Sequence, residues 1–159
     1  MKKLDYTFDN IGGLMAIYAI PPESFIRLRK DYILNTYNLE LRQRDNIIAI
    51  PVLDNGTYNM GIEQENSLQG DAWRITIDGF IPAVNKTQSS LLSVLQQRAW
   101  YVLAVDQNGC YHFCGEADTL MRFKRTFTSG DNAAARNATS FTFENLQADY
   151  PVIIEDIII

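Results

Sequence analysis

His112, the single histidine of the chain, stands between its two cysteines, Cys110 and Cys114. These residue types bind metals and carry nucleophilic catalysis. Alternate positions of an extended segment share a face, so all three side chains are expected on one side of a strand. The cysteines are then roughly 13 Å apart at ~3.3 Å per residue, too far to share one zinc. That separation also forbids a disulfide, which needs Cα atoms within about 7 Å. No other Cys or His exists to complete a coordination shell, so no metal is expected. A thiol with a base two residues away has the reach for nucleophilic chemistry, but nothing nearby marks an oxyanion hole or an orienting third group. No G-x-S-x-G, phosphate-loop or dinucleotide fingerprint occurs. The carboxylate pairs Glu63/Glu65 and Glu155/Asp156 fall in a polar segment and an acidic tail, where solvation is the ordinary state. The chain is therefore expected to be non-enzymatic and free of cofactors, with an enzyme built on His112 as the weaker alternative.

The elements that would position these residues are mostly strands. Trp73, Ile75, Ile77, Gly79 and Ile81 alternate with Arg74, Thr76, Asp78 and Phe80. Met121, Phe123 and Phe127 alternate in the same way, as do Phe141 and Phe143. Further strands are predicted near Leu14–Ile20, Ser24–Arg29 and Ile33–Leu41, with Pro21-Pro22 separating the first two. Asn-Gly tolerates the positive φ of primed turns. Asp54-Asn55-Gly56 is thus expected to join 47–53 to 57–62 in a hairpin, and Gln107-Asn108-Gly109 to join 101–106 to 110–115. One helix is predicted over 87–99, capped by Thr87 and striped by Leu91, Leu92, Val94, Leu95 and Ala99. Its other face is polar but uncharged until Arg98, which hints at a second contact. Segments 63–72 and 129–138 read as loops, and the second is long for a connection between adjacent strands. The pattern predicts a mostly β chain, an antiparallel β-sandwich or barrel with one flanking α-helix, forming one β-rich domain over 1–159.

Composition bounds the function. With 159 residues, 47% hydrophobic and 21% charged, the chain is expected to fold around a full core rather than remain disordered. Its net charge of −5 argues against binding nucleic acid over a broad face. No apolar stretch approaches the ~20 residues of a spanning helix, so no membrane role is expected. Asp5, Asp9 and Asn10 part Lys2-Lys3 from the short apolar run after Ile11, so no signal peptide is expected. The sequons Asn85-Lys86-Thr87 and Asn137-Ala138-Thr139 carry little meaning without secretion.

Charge is unevenly spread. Between Leu120 and Arg136 the residues Arg122, Lys124, Arg125 and Arg136 face only Asp131, whereas Glu144–Ile159 is purely acidic. The tail ends in Ile153-Ile154-Glu155-Asp156-Ile157-Ile158-Ile159, an aggregation liability unless paired or covered. Two outcomes are open: a last strand completing the chain's own sheet, or an interface with a neighbouring copy. In the second, Arg122, Lys124, Arg125 and Arg136 of one subunit meet Glu155, Asp156, Ile157, Ile158 and Ile159 of the next. Unlike surfaces make a heterologous contact, which builds rings or stacks.

From Trp73 to about Phe143 the order of features is the strand 73–79, the helix 88–98, and the strand 100–106 turning at Asn108-Gly109. Gly115, the strand 121–127, a Ser/Gly/Asn/Ala-rich loop and Ser140-Phe141-Thr142-Phe143 follow. This stretch, under half of the chain, resembles prophage structural proteins of the tail or tail-completion type. The resemblance implies a tail-tube-like β-sandwich or barrel with a flanking helix at a subunit contact, segment 129–138 as an arm, and no catalytic residues. It further implies copies of itself in a ring or stack, or other virion-type structural proteins, as partners, and a cytoplasmic location during assembly followed by a place in a virion. The rival expectation is a small β-rich ligand- or protein-binding module that uses Trp73, Trp100, Tyr101, Tyr111 and Phe113, rings that otherwise pack a core.

Overall fold

The segment Ala99–Asp106 is an unbroken apolar run up to its final residue, the signature of a strand covered on both faces. In a computed structural model, which describes residues 12–53, 58–67, 70–82, 85–128 and 138–159, this strand lies between two cores. The described elements are β1 (Leu14–Ile20), β2 (Phe25–Asp31), β3 (Thr36–Leu41), β4 (Ile48–Ile50), β5 (Asn59–Ser67) and β6 (Gly70–Pro82). The helix α1 (Lys86–Gln97) follows, then β7 (Ala99–Asp106), β8 (Tyr111–Cys114), β9 (Met121–Thr128), β10 (Ala138–Gln147) and β11 (Val152–Ile158).

One sheet runs β4-β1-β7-β8-β11-β3-β2, and the other runs β9-β10-β6-β5. They join where Ala99 and Trp100 of β7 pair with Arg122 and Met121 of β9. Every pairing is antiparallel except β11 with β3, so the sheet is mixed. Trp100, Val102 and Ala104 point into the first core, where Ile75, Ile77, Phe123, Phe141 and Phe143 of the second sheet meet them. Leu92 and Leu95 of α1 complete it. Tyr101 and Leu103 point the other way, into a second core with Ile20, Leu39, Leu41, Phe113 and Ile154. The rings of Phe25, Tyr101 and Phe113 pack together there, with centroids 4.4 to 5.6 Å apart. The fold is mostly β, sandwich- or barrel-like, with one helix. Among the described residues no helix is long and apolar enough to cross a membrane.

Two local devices hold the first core in register. The buried indole Nε1 of Trp100 donates to the Leu95 carbonyl at 3.0 Å, satisfying an orphan acceptor at the end of α1. Gly79 lies so close to the rings of Phe141 and Tyr58 that an added Cβ would sit 2.6 Å from each. Tyr58 is fixed from the other side by its hydroxyl, which donates to the Phe80 carbonyl at 2.7 Å.

Several expectations need correction. The helix is capped by Asn85, not Thr87: Asn85 Oδ1 accepts the Gln88 N–H and Gln88 Oε1 accepts the Asn85 N–H. It ends at Gln97, so Ala99 belongs to β7, and of the expected stripe only Leu92 and Leu95 are buried. Segment 63–72 is largely strand. It reads as polar because β5 is an edge strand, and Glu65 of β5 forms an ion pair with Arg74 of β6. Among the described residues the hairpin expected between 47–53 and 57–62 does not form: β4 pairs with β1 in one sheet and β5 with β6 in the other. Its Asn55-Gly56 lies outside the described residues, as do Lys2-Lys3 and positions 129–137 of the loop expected over 129–138, whose last residue, Ala138, opens β10 instead. Ile33 and Leu34, expected in β3, sit in the β2–β3 turn. There Asp31 Oδ1 takes both of their N–H groups, at 2.8 and 3.1 Å, and Asn35 adopts a φ of 55°. The β7–β8 hairpin forms as expected, but not with a primed two-residue turn. Gly109 alone has positive φ, its N–H donates to the Asp106 carbonyl, and Asp106 N–H donates to the Cys110 carbonyl, closing a three-residue loop.

Candidate functional site

The β7–β8 hairpin places Asp106 and His112 on one face, and their side chains meet: Asp106 Oδ2 lies 3.0 Å from His112 Nε2. Asp106 Oδ1 accepts the N–H groups of Asn108 and Cys110, each at 2.9 Å. Burial raises the Asp106 carboxyl, but the hydrogen bonds from His112 and the two backbone N–H groups outweigh it and hold it below the ordinary range. The pair borders a pocket of about 230 Å³ that Leu14, Asn59, Met60 and Ile62 also line.

A carboxylate that orients an imidazole is one half of a nucleophilic relay. The other half does not assemble among the described residues. His112 Nδ1 is shielded from solvent and has no hydrogen-bond partner there. Cys110 precedes β8 in the turn, and its thiol is pushed up by burial and by the Asp106 charge. Cys114 is fully buried in the first core, which pushes its thiol up much further. Neither sulfur is the low-pKa thiolate that attacks at neutral pH. The described residues contain no group of three or more metal-ligating side chains. Asp106 was not singled out in the sequence, although its signal was present: an Asp opening an Asn-Gly turn accepts backbone N–H groups, and counting across that turn pairs its face with His112.

The residues expected at a subunit contact are divided between the two sheets. Arg122 and Lys124 are exposed on β9, and Lys124 forms an ion pair with Glu144 of β10. Arg125 is half-buried and reaches Ser93 Oγ at 3.4 Å, so the polar face of α1 does have a second contact, and it lies within the chain. Arg136 lies outside the described residues. The acidic tail is not a free arm. Its strand β11 is inserted between β8 and β3, with Ile154 buried and Ile157 half-buried against the second core. Glu155, Asp156, Ile158 and Ile159 remain exposed, together with Ile153. The ring-bearing strands are mainly core: Trp100, Tyr101 and Phe113 are buried, Trp73 packs edge-on against Tyr150, and Tyr111 is partly open.

Two further features were not legible in the sequence, one made by a braced turn and one by strands far apart in the chain. The tip of the β2–β3 hairpin holds out Tyr32, Ile33 and Leu34, with relative exposures of 85%, 93% and 62%. Beyond the other end of β3, the second core opens in a mouth of about 380 Å³ lined by Tyr18, Ile20, Leu41, Ile47, Ala49, Leu103, Tyr111 and Ile157. Arg44 is the one charged residue at this mouth.

No protein-family model matches the chain, and no curated protein or solved structure matches it.

Proposed function

We propose that the chain is a non-enzymatic structural subunit that assembles with copies of itself, in the manner of the tail-type phage proteins that the pattern from Trp73 to Phe143 resembles. The observation that carries this reading is the tip Tyr32-Ile33-Leu34, three successive large apolar side chains held in water by a braced turn. Folding alone gains nothing from such an arrangement, whereas association removes the apolar surface from water. A second support is that the basic strand β9 and the acidic, isoleucine-rich strand β11 belong to different sheets, as two unlike contact surfaces require. Loops and the exposed residues of the C-terminal strand, not a free terminal arm, make the contacts.

The test is the mass of the purified chain by light scattering at high protein concentration and low salt. Species well above 18.1 kDa are expected. A chain that stays at 18.1 kDa under these conditions overturns the reading. Genes for portal, tape-measure or sheath proteins beside its own would support the tail-type form of the role.

A further inference from the structure

We propose that the β2–β3 tip of one copy docks in the mouth of the second core of the next, linking copies head to tail. This rests on the assembly reading above and names the two surfaces that carry it. The tip presents Ile33 and Leu34, while the mouth is walled by the partly exposed Tyr18, Ile47, Tyr111 and Ile157 over a floor of buried Ile20 and Leu103. Each surface is apolar, and each is left open by the chain that carries it. One charged residue beside each surface, Asp31 at the tip and Arg44 at the mouth, is opposite in sign to the other. Asp31, at the base of the tip, uses one oxygen to hold the turn and forms no ion pair among the described residues. Arg44, at the mouth, likewise has no side-chain partner among them. Lys30 lies over the rings of Tyr32 and Tyr37, at 5.6 and 5.7 Å, and so forms no ion pair with Asp31.

Geometry supplies the direction of assembly. The tip precedes β3 and the mouth follows its last residue, Leu41. Six residues of strand separate them, roughly 20 Å at ~3.3 Å per residue, so a tip does not reach the mouth of its own chain. A knob at one end and a socket at the other make a heterologous contact, which propagates as a stack or closes as a ring. The Asp31-braced turn holds its shape before docking, which lowers the entropy lost on association.

The experiment uses two variants of the full chain. Ile33→Asp spoils the tip, and Arg44→Glu/Ala49→Glu spoils the mouth. All three positions are exposed, and unchanged thermal melts confirm that both variants fold. In sedimentation velocity each variant alone should require a concentration higher by about tenfold or more to associate, the loss of one buried aliphatic contact. An equimolar mixture holds one good tip and one good mouth, so it should form a species of twice the monomer mass and nothing larger. If the wild type associates but both variants match it, or if the mixture stays monomeric, the docking proposal is overturned while the assembly reading stands. A monomeric wild type overturns both. Native mass spectrometry that finds a small amphiphile seated in the mouth, with association unchanged when it is removed, also overturns the docking proposal.

Discussion

Asp106 Oδ2 and His112 Nε2 are 3.0 Å apart, and the same carboxylate takes the N–H groups of Asn108 and Cys110. The pair closes the β7–β8 hairpin, and that closure has a measurable stability. Removing the side chain in Asp106→Ala should cost about 2 kcal/mol in urea unfolding at pH 7, the worth of hydrogen bonds to a charged acceptor. Asp106→Asn should cost less because it keeps an acceptor for the turn.

The pH dependence follows from the lowered Asp106 carboxyl. A depressed folded-state pKa stabilises the fold fully above the unfolded value, about 3.9, and this contribution is lost as pH falls through the folded value. The gap in urea midpoint between wild type and Asp106→Asn should therefore persist above about pH 5 and shrink as the pH falls below about 4. A gap that holds undiminished at pH 3 would remove the carboxylate from the account of this hairpin.

Gly79→Ala puts a methyl group 2.6 Å from the rings of both Phe141 and Tyr58. Neither ring has room to retreat, since Phe141 is packed against Phe123 and Tyr58 is tied to the Phe80 carbonyl. Thermal or urea unfolding should show a loss of about 2 kcal/mol, the usual cost of overpacking. Unchanged stability would mean that the two rings are not fixed as described.

The C-terminal isoleucines should divide by position. Ile154→Ala empties part of the second core and should cost about 3 kcal/mol. Ile158→Ser and Ile159→Ser alter exposed side chains and should change stability by no more than about 0.5 kcal/mol. Equal effects at 154 and 158 would contradict the placement of β11.

Trp100→Phe keeps most of the ring volume but leaves the buried Leu95 carbonyl without its donor and removes the indole over which Arg98 lies at 4.4 Å. A loss of about 1.5 kcal/mol is expected in chemical denaturation. No loss would show that the carbonyl finds another partner.

How far the sequence could be read depends on the range of the interaction concerned. Period-two alternation at Ile75, Ile77, Phe141 and Phe143 identified core faces, and β1 was expected over the seven residues it occupies. The apolar residues of α1 showed a helix, but Leu91 and Val94 are exposed because the helix lies at the margin of the core. Ile33 and Leu34 were expected in a strand because their apolar character is ordinarily bought with burial, and here a side-chain-braced turn leaves it unburied. The parallel pairing of β11 with β3 was not legible, since it joins residues more than a hundred positions apart with no local turn signal. At the candidate site, His112 and the cysteines were visible by type, but Asp106 emerged only once the hairpin register was counted. The mouth is lined from β1, β3, β7, β8 and β11, a long-range convergence that no local pattern encodes.

The proposed assembly requires that copies of this chain meet through the apolar tip. Its most direct test is the weight-average mass of wild type and Ile33→Asp, measured side by side by sedimentation equilibrium across a dilution series. Wild type should start above 18.1 kDa and fall toward it on dilution, while Ile33→Asp stays near 18.1 kDa until far higher concentrations. Superimposable curves for the two proteins, or a wild type at 18.1 kDa throughout, would contradict the claim.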